Sequence, residues 1–266
     1  FMATDFNSIT RERALPPPTR FAFGRALRRH LADSIRYCGL LRTGWTLCTA
    51  FYRSLFELRP SLRRARYGDL DFDLDRSVDT TRSNVSFRTQ LMAALTGHPY
   101  YASEPWLFEQ IIAVLNVGAS RIDFREFTFV DLGSGKGRAL LMASDFPFRR
   151  IVGVEFIPGL YQIAERNIVR YSSDRQQCRE IETLCLDVRD YEFPAGPLVV
   201  YMFNPFPEPV FAGVLENLRR SLEKDPRPAF VAYRYPQFES LLADCAWLQK
   251  AAGTEQWAVY RNRVGT

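Results

Sequence analysis

Phe127-Thr-Phe-Val-Asp-Leu-Gly-Ser-Gly-Lys-Gly-Arg-Ala-Leu-Leu141 decides the fold. An apolar run rich in β-forming residues meets Gly133, Gly135 and Gly137, and an Ala/Leu/Met segment of helical character follows, so the stretch reads as strand, tight turn and helix. The glycines remove side chains where backbone must turn sharply or lie against a ligand. The helix start beyond them is expected to offer unpaired N–H groups to an anionic or carboxylate-bearing ligand. Spacing separates the ligand classes. A phosphate-cradling loop ends in Gly-Lys-Ser/Thr, whereas Lys136 is followed by Gly137 and Arg138, and a G-x-G-x-x-G dinucleotide turn would place its third glycine where Arg138 stands. Working outward, Ile151-Val-Gly-Val-Glu155 is a second short apolar strand, ending in an acid about 20 residues beyond the glycines, where a carboxylate can accept hydrogen bonds from both hydroxyls of a ribose.

An acid, Asp131, two residues before a G-x-G-x-G turn, with a second acid closing the next strand, resembles the first two motifs of the class I S-adenosylmethionine-dependent methyltransferases. The resemblance covers roughly residues 98 to 262. It implies that Asp131, Gly133, Ser134, Gly135 and Gly137 meet the methionine end of that cofactor and that Glu155 holds its ribose. Glu182-Thr-Leu-Cys-Leu-Asp187 reads as a third strand ending in an acid, and the resemblance makes Asp187 and Val188 the residues bordering the adenine. The fold implied is α/β, with a doubly wound, mostly parallel seven-stranded sheet, helices on both faces and a helical extension at the N-terminus.

Pro197-Leu-Val-Val-Tyr-Met-Phe-Asn-Pro-Phe-Pro207 is an apolar run without alternation, which suits a buried central parallel strand whose terminal Asn faces the ligand crevice. Its place matches the fourth motif of the same family, where enzymes that methylate amino groups commonly carry Asn/Asp-Pro-Pro-Phe/Tyr/Trp; here one Pro rather than two precedes the aromatic, and the stretch also resembles the Asn-Asn-Phe type of the histone-lysine group. The side-chain oxygen of Asn204 and the backbone carbonyls beside Pro205 can accept N–H bonds from an amine and aim its lone pair at a methyl carbon. Phe206 can stack on a planar group or face a cationic product. Upstream, Tyr100-Tyr-Ala-Ser-Glu-Pro105 precedes a helix with Phe108, Ile111, Ile112 and Leu115 on one face, Ser103 as its N-cap and Pro105 in its first turn. This loop and helix resemble those of the non-SET histone-lysine methyltransferases and related protein-lysine methyltransferases. The resemblance makes Tyr101 and Glu104 contacts of the cofactor's methionine portion, with Tyr101 also near the reacting amine.

The chain has 266 residues and a net charge of +5. One catalytic domain over 98–266 preceded by an extension is the natural division at this length. Residues 20 to 66 hold eleven Arg against Asp33 and Glu57, while residues 67 to 266 carry a net acidic charge. The extension over 20–97 is therefore basic. Residues 1–19, with three consecutive prolines, read as a flexible arm. Helical spacing sets Leu27, Leu31 and Ile35 on one face and, after an interruption at Gly39 and Gly44, Trp45, Cys48, Tyr52 and Leu55 on another. Gly68-Asp-Leu-Asp-Phe-Asp-Leu-Asp75 alternates as a strand or ribbon does, with Leu70, Phe72 and Leu74 on one side. An EF-hand would need Gly and Glu at positions 76 and 82, and both are Arg. Val78-Asp-Thr-Thr-Arg-Ser-Asn-Val85 reads as a polar loop, a lid segment or a capped helix start. Five scattered cysteines without C-x-x-C pairs suggest buried thiols and neither a disulfide framework nor a zinc site.

The function expected is transfer of a methyl group from S-adenosylmethionine to an amine such as a protein lysine, with no metal and with nucleic acid disfavoured as acceptor. A small-molecule O- or N-methyltransferase is the alternative within the enzyme class. Outside it stand a non-catalytic cofactor-binding module acting through its basic helices on membrane or nucleic acid and, more distantly, a nicotinamide oxidoreductase. No apolar run approaches the roughly 18 residues of a membrane span, so the expected compartment is the cytoplasm; the basic helices of residues 20–66 are expected to pack against the catalytic domain, with contact to a membrane surface as the alternative.

Overall fold

The computed structural model describes residues 28–29, 31–33, 35–36, 39–56, 70–81, 100–116, 121–204 and 206–263. The expected arm over 1–19, Leu27 and Pro205 lie outside them. Residues 28–29, 31–33 and 35–36 are helical, followed by α1 (Leu40–Phe56), α2 (Leu70–Arg76) and α3 (Pro105–Leu115). The core then alternates β1 (Thr128–Leu132), α4 (Arg138–Ser144), β2 (Arg150–Glu155), α5 (Pro158–Arg170), β3 (Ile181–Cys185), β4 (Leu198–Phe203), α6 (Glu208–Lys224), β5 (Ala229–Arg234), α7 (Glu239–Ala243), β6 (Leu248–Gly253) and β7 (Trp257–Asn262).

The strands form one seven-stranded sheet in the order β3-β2-β1-β4-β5-β7-β6. All neighbours are parallel except β5 with β7 and β7 with β6. Strand order reverses between β1 and β4, so the carboxyl ends of these two central strands flank the switch point where an open α/β sheet takes its ligand. Both faces of the sheet are covered, and alternate residues of one strand enter separate cores. Phe129, Val199, Tyr201, Phe230 and Ala232 pack with α3 and α4. Val130, Val200, Met202, Val231 and Tyr233 pack with α6. This is the doubly wound, mostly parallel seven-stranded arrangement expected from the apolar runs, closed by an antiparallel hairpin of β6 and β7.

Local readings fare less evenly upstream of the core. Gly68 and Asp69 lie outside the described residues, and the rest of the alternating stretch does not form a strand: Leu70–Arg76 is helical. Phe72 and Asp73 are buried and Leu74 is exposed, because Asp73 caps the following turn, accepting the N–H groups of Thr80 and Thr81 at 2.8 Å each. Gly39 has φ 79° and separates the two N-terminal helical segments, but Gly44 lies inside α1 and interrupts nothing. Ser103 is not the cap of α3. Glu104 occupies that position without a side-chain capping bond, and the Ser103 hydroxyl pairs with Tyr201 Oη at 2.8 Å. Cys48 is exposed rather than buried, unlike Cys178.

At the outer edge, β6 pairs with β7 through a register shift between Lys250 and Ala252, and most of its residues are exposed. Among the described residues no helix is long and apolar enough to cross a membrane, and no cluster of His, Cys, Asp or Glu is arranged to hold a metal ion.

Phe108 is the knot of the α3 face, meeting Phe129 and Tyr201 edge-on at centroid separations of 5.9 and 5.5 Å. Phe108→Ala should lower stability by about 3–5 kcal/mol, read as a lower urea midpoint at unchanged slope. A loss below about 1 kcal/mol would show that α3 is not packed as described.

Candidate functional site

The glycine turn between β1 and α4 is left-handed at all three glycines, with φ of 81°, 57° and 86° at Gly133, Gly135 and Gly137. Four of its backbone N–H groups are taken up by the protein itself. The N–H groups of Gly133 and Ser134 bond Val154 O at 2.8 and 3.1 Å, and that of Gly137 bonds Ser134 O at 2.8 Å. The Gly135 N–H bonds Glu155 Oε2 at 2.8 Å. The turn is thus sewn to the end of β2. Gly137 answers to packing: a Cβ there would lie 3.3 Å from Ala164 of α5. The Ser134 hydroxyl is buried without a hydrogen-bond partner and sits where a Cβ on Gly153 would reach it at 2.9 Å.

Two acids lie behind the turn. Asp131 is 3% exposed, and no hydrogen bond or ion pair engages its carboxylate among the described residues. Burial, with the charge of Glu155 added, raises its pKa well above the usual carboxylate range. Glu155 is also buried. Burial pushes its pKa up to about 7 against the stabilising N–H groups of Ile157, Gly135 and Phe156, the first of which bonds Oε1 at 2.6 Å. A buried carboxylate without a partner is costly unless a cation or a donor arrives.

Asn204 stands at the end of β4, beside the turn across the β1–β4 pairing. Its backbone is left-handed, φ 37°, a strained setting for a side chain with a Cβ. The Tyr233 hydroxyl donates to Asn204 Oδ1 at 2.7 Å and the Asn204 amide donates to Gln237 Oε1 at 2.9 Å. The amide is therefore held at both ends, with one lone pair of Oδ1 still available. Phe206 packs against the α6 core. At the end of β5, Tyr235 repeats the strained geometry, φ 53°, and is exposed. Sequence reading passed over Tyr235, since nothing in Arg-Tyr-Pro announces a positive φ.

The loop before α3 is arranged differently from its sequence reading. Tyr101 is 57% exposed, whereas its neighbour Tyr100 packs on the glycine turn: a Cβ on Gly135 would come within 2.2 Å of the Tyr100 ring. Glu104 turns to Arg234, whose Nη2 lies 3.1 Å from Glu104 Oε2. On the β3 side, Asp187 and Val188 are both buried. Asp187 takes Arg189 Nη2 at 2.7 Å, with Arg29 of the N-terminal segment at 3.7 Å. Arg189 also reaches Asp33 at 2.5 Å, so the basic extension is clasped onto the end of β3.

A further set of side chains, not singled out by sequence, braces the turn. Lys136 is fully buried and donates from Nζ to Asp79 Oδ1 and Thr81 O, each at 2.7 Å. Arg138 Nε donates to Thr80 Oγ1 at 2.6 Å and its Nη2 lies 3.3 Å from Asp73 Oδ1. Asn167 of α5 donates to Asp79 O at 2.8 Å and Lys136 O at 2.9 Å and accepts the Asp79 N–H at 2.9 Å. The legible signal was two cations inside a glycine turn and an aperiodic Asp-Thr-Thr cluster some 55 residues earlier, where Lys136 and Thr81 meet.

The residues present fit S-adenosylmethionine. The buried Asp131 carboxylate, unpaired among the described residues, suits an ammonium, and the two oxygens of Glu155 retain lone pairs for ribose hydroxyls. Backbone comparison finds likenesses at low identity. A 23S rRNA methyltransferase, ErmE, is similar at 12% identity and a TM-score of 0.44, over 62% of this chain and 70% of that one. A glycopeptide N-methyltransferase, MtfA, is similar at 9% and 0.45, over 62% and 92%. An S-adenosyl-L-methionine-dependent methyltransferase described as putative, from Methanococcus maripaludis, is similar at 16% and 0.41, over 61% and 85%. No family model matches the chain, and no curated protein does.

Gly135→Val, which forces a β-branched side chain into a left-handed backbone against Tyr100, and Glu155→Ala should each weaken S-adenosylhomocysteine binding about tenfold or more in calorimetric titration. Unchanged curves for both would remove the site. Because Glu155 accepts hydroxyl bonds best when ionised and its pKa lies near 7, affinity should rise as pH rises, by about tenfold between pH 6 and 8. Glu155→Gln should abolish the part of the slope centred near 7; a flat profile in the unsubstituted protein would separate Glu155 from the ligand.

Proposed function

We propose that the protein is an S-adenosylmethionine-dependent methyltransferase acting on an amine, with a protein lysine as the preferred acceptor class. The observation that supports the amine is Asn204. An amide at the switch point is held at both ends by Tyr233 and Gln237, which supports a role in which the remaining lone pair of its oxygen accepts an acceptor N–H. When bound, the cofactor supplies an electrophilic methyl group on a sulfonium and its own leaving group. The chain's task is then orientation and exclusion of water. Asp131 faces the ammonium, Glu155 the ribose, and Asn204 the nucleophile. Tyr235, exposed at the neighbouring strand end, and Tyr101 are the aromatic groups near enough in sequence to this rim to meet the acceptor.

Incubation with tritiated S-adenosylmethionine and cell lysate, followed by separation into protein, nucleic acid and small molecules, tests the reading. Label should appear in protein, on lysine after hydrolysis. Asn204→Ala should lower kcat by about 100-fold while leaving cofactor affinity within about threefold, as for loss of a positioned hydrogen bond. Label confined to nucleic acid would overturn the acceptor, and label confined to small molecules would move the protein to the metabolite-methylating alternative.

A further inference from the structure

Four charged side chains, Asp73, Asp79, Lys136 and Arg138, meet in and beside the glycine turn, three of them buried and Asp79 partly so. Burial lowers the Lys136 pKa, opposed by its bond to Asp79. Buried ion pairs of this kind contribute little net stability, since desolvation offsets their attraction and apolar replacements commonly do as well. Their value lies in fixing one geometry. Here the geometry fixed is that of residues 77–81, which pass over the turn as a strap: Lys136 takes Asp79 and Thr81, Arg138 takes Thr80 and Asp73, and Asn167 closes the far side. The strap in turn holds Tyr100, whose hydroxyl donates to Thr80 O at 2.6 Å. The Tyr100 ring lies flush against Gly135, and burial raises the pKa of its hydroxyl, opposed by Arg138 and reinforced by Asp73, Asp131 and Asp79.

We propose that Tyr100, set by the strap of residues 77–81, is a specificity-determining residue that walls the amino-acid end of the cofactor site, so that recognition of the cofactor's tail depends on residues upstream of the catalytic core. Asp131 supplies the charge for an ammonium, and the ring beside it supplies an apolar and quadrupolar face that excludes water from that charge. Lys136 and Arg138 act as positioning residues: their nitrogens are directed to the strap, and the cofactor feels them through Tyr100. This inference rests on the cofactor reading above and adds to it which side chains grip the tail.

The test compares two ligands that share the nucleoside and the sulfur, S-adenosylhomocysteine, which carries the amino-acid tail, and 5′-methylthioadenosine, which lacks it. Affinities are measured by calorimetry for the full chain, for Tyr100→Ala, for Tyr100→Leu, which keeps most of the buried volume, and for Tyr100→Phe, with thermal unfolding recorded for each. Tyr100→Ala and Tyr100→Leu should weaken S-adenosylhomocysteine about tenfold or more while changing methylthioadenosine by less than about threefold, and Tyr100→Phe should restore most of the loss. Asp79→Asn should shift the two ligands in the same unequal way. Equal weakening of both ligands, or of neither, would overturn the inference while leaving the cofactor reading intact. An unsubstituted chain that binds neither ligand would overturn both.

Discussion

The hydrogen bond from the Gly135 N–H to Glu155 Oε2, 2.8 Å long, ties the turn after β1 to the acid that closes β2, and the site depends on it. It requires a left-handed residue at 135, hence glycine, and a carboxylate at the end of the adjacent strand, hence the in-register parallel pairing of Asp131 with Gly153 and Leu132 with Val154. Gly153 has its own part, since a side chain there would collide with Leu140 and Ser134. One bond therefore links the sheet register, the placement of α4 and the orientation of the acid. Because burial raises the Glu155 pKa to about 7, the strength of this bond varies with protonation around neutral pH.

Around that bond the polar groups divide into two kinds. The N–H groups of Gly133, Ser134, Gly135 and Gly137 are taken by Val154, Glu155 and Ser134, and the buried acids Asp131 and Glu155 give the site the electrostatic character of a place for a cation and for hydroxyls. A phosphate-binding turn would show the reverse. The cations that sequence places in the turn, Lys136 and Arg138, are turned away toward Asp79, Thr80, Thr81 and Asp73. Their role is structural order rather than charge attraction, and the same is true of Arg189 and Arg29, which occupy Asp187 at the end of β3.

The core was legible in the sequence because its strands are apolar on both faces and are punctuated by glycine, asparagine and proline at fixed offsets. The run from Phe127 to Leu141 gave strand, turn and helix, and the two cores follow from alternation within strands that are buried throughout. What was not legible depended on contacts distant in sequence. Leu70–Arg76 alternates as strands do, yet a seven-residue helix wins because Asp73 caps the next turn and Phe72 enters the core. Tyr100 and Tyr101 are indistinguishable as letters, and only the packing on Gly135 separates them. Asn204 was legible as a crevice residue from its place after an apolar strand; its partners Tyr233 and Gln237 were not, since they come from the neighbouring strand end.

The outermost strand has a bearing on how the folded chain meets its own copies. A sheet of this width ends in two rows of unpaired backbone groups, and such rows template association with other chains. On the β6 side the irregular pairing at Lys250 and Ala252 bends the ladder, and the Lys250 ammonium is anchored beside it on Glu239 at 2.6 Å. A bulge and a charge at the same point spoil the flat hydrogen-bonding rim that a stray strand would need. Edge-to-edge polymerisation is thereby discouraged at this margin of the molecule, far from the crevice, by features that contribute nothing to chemistry.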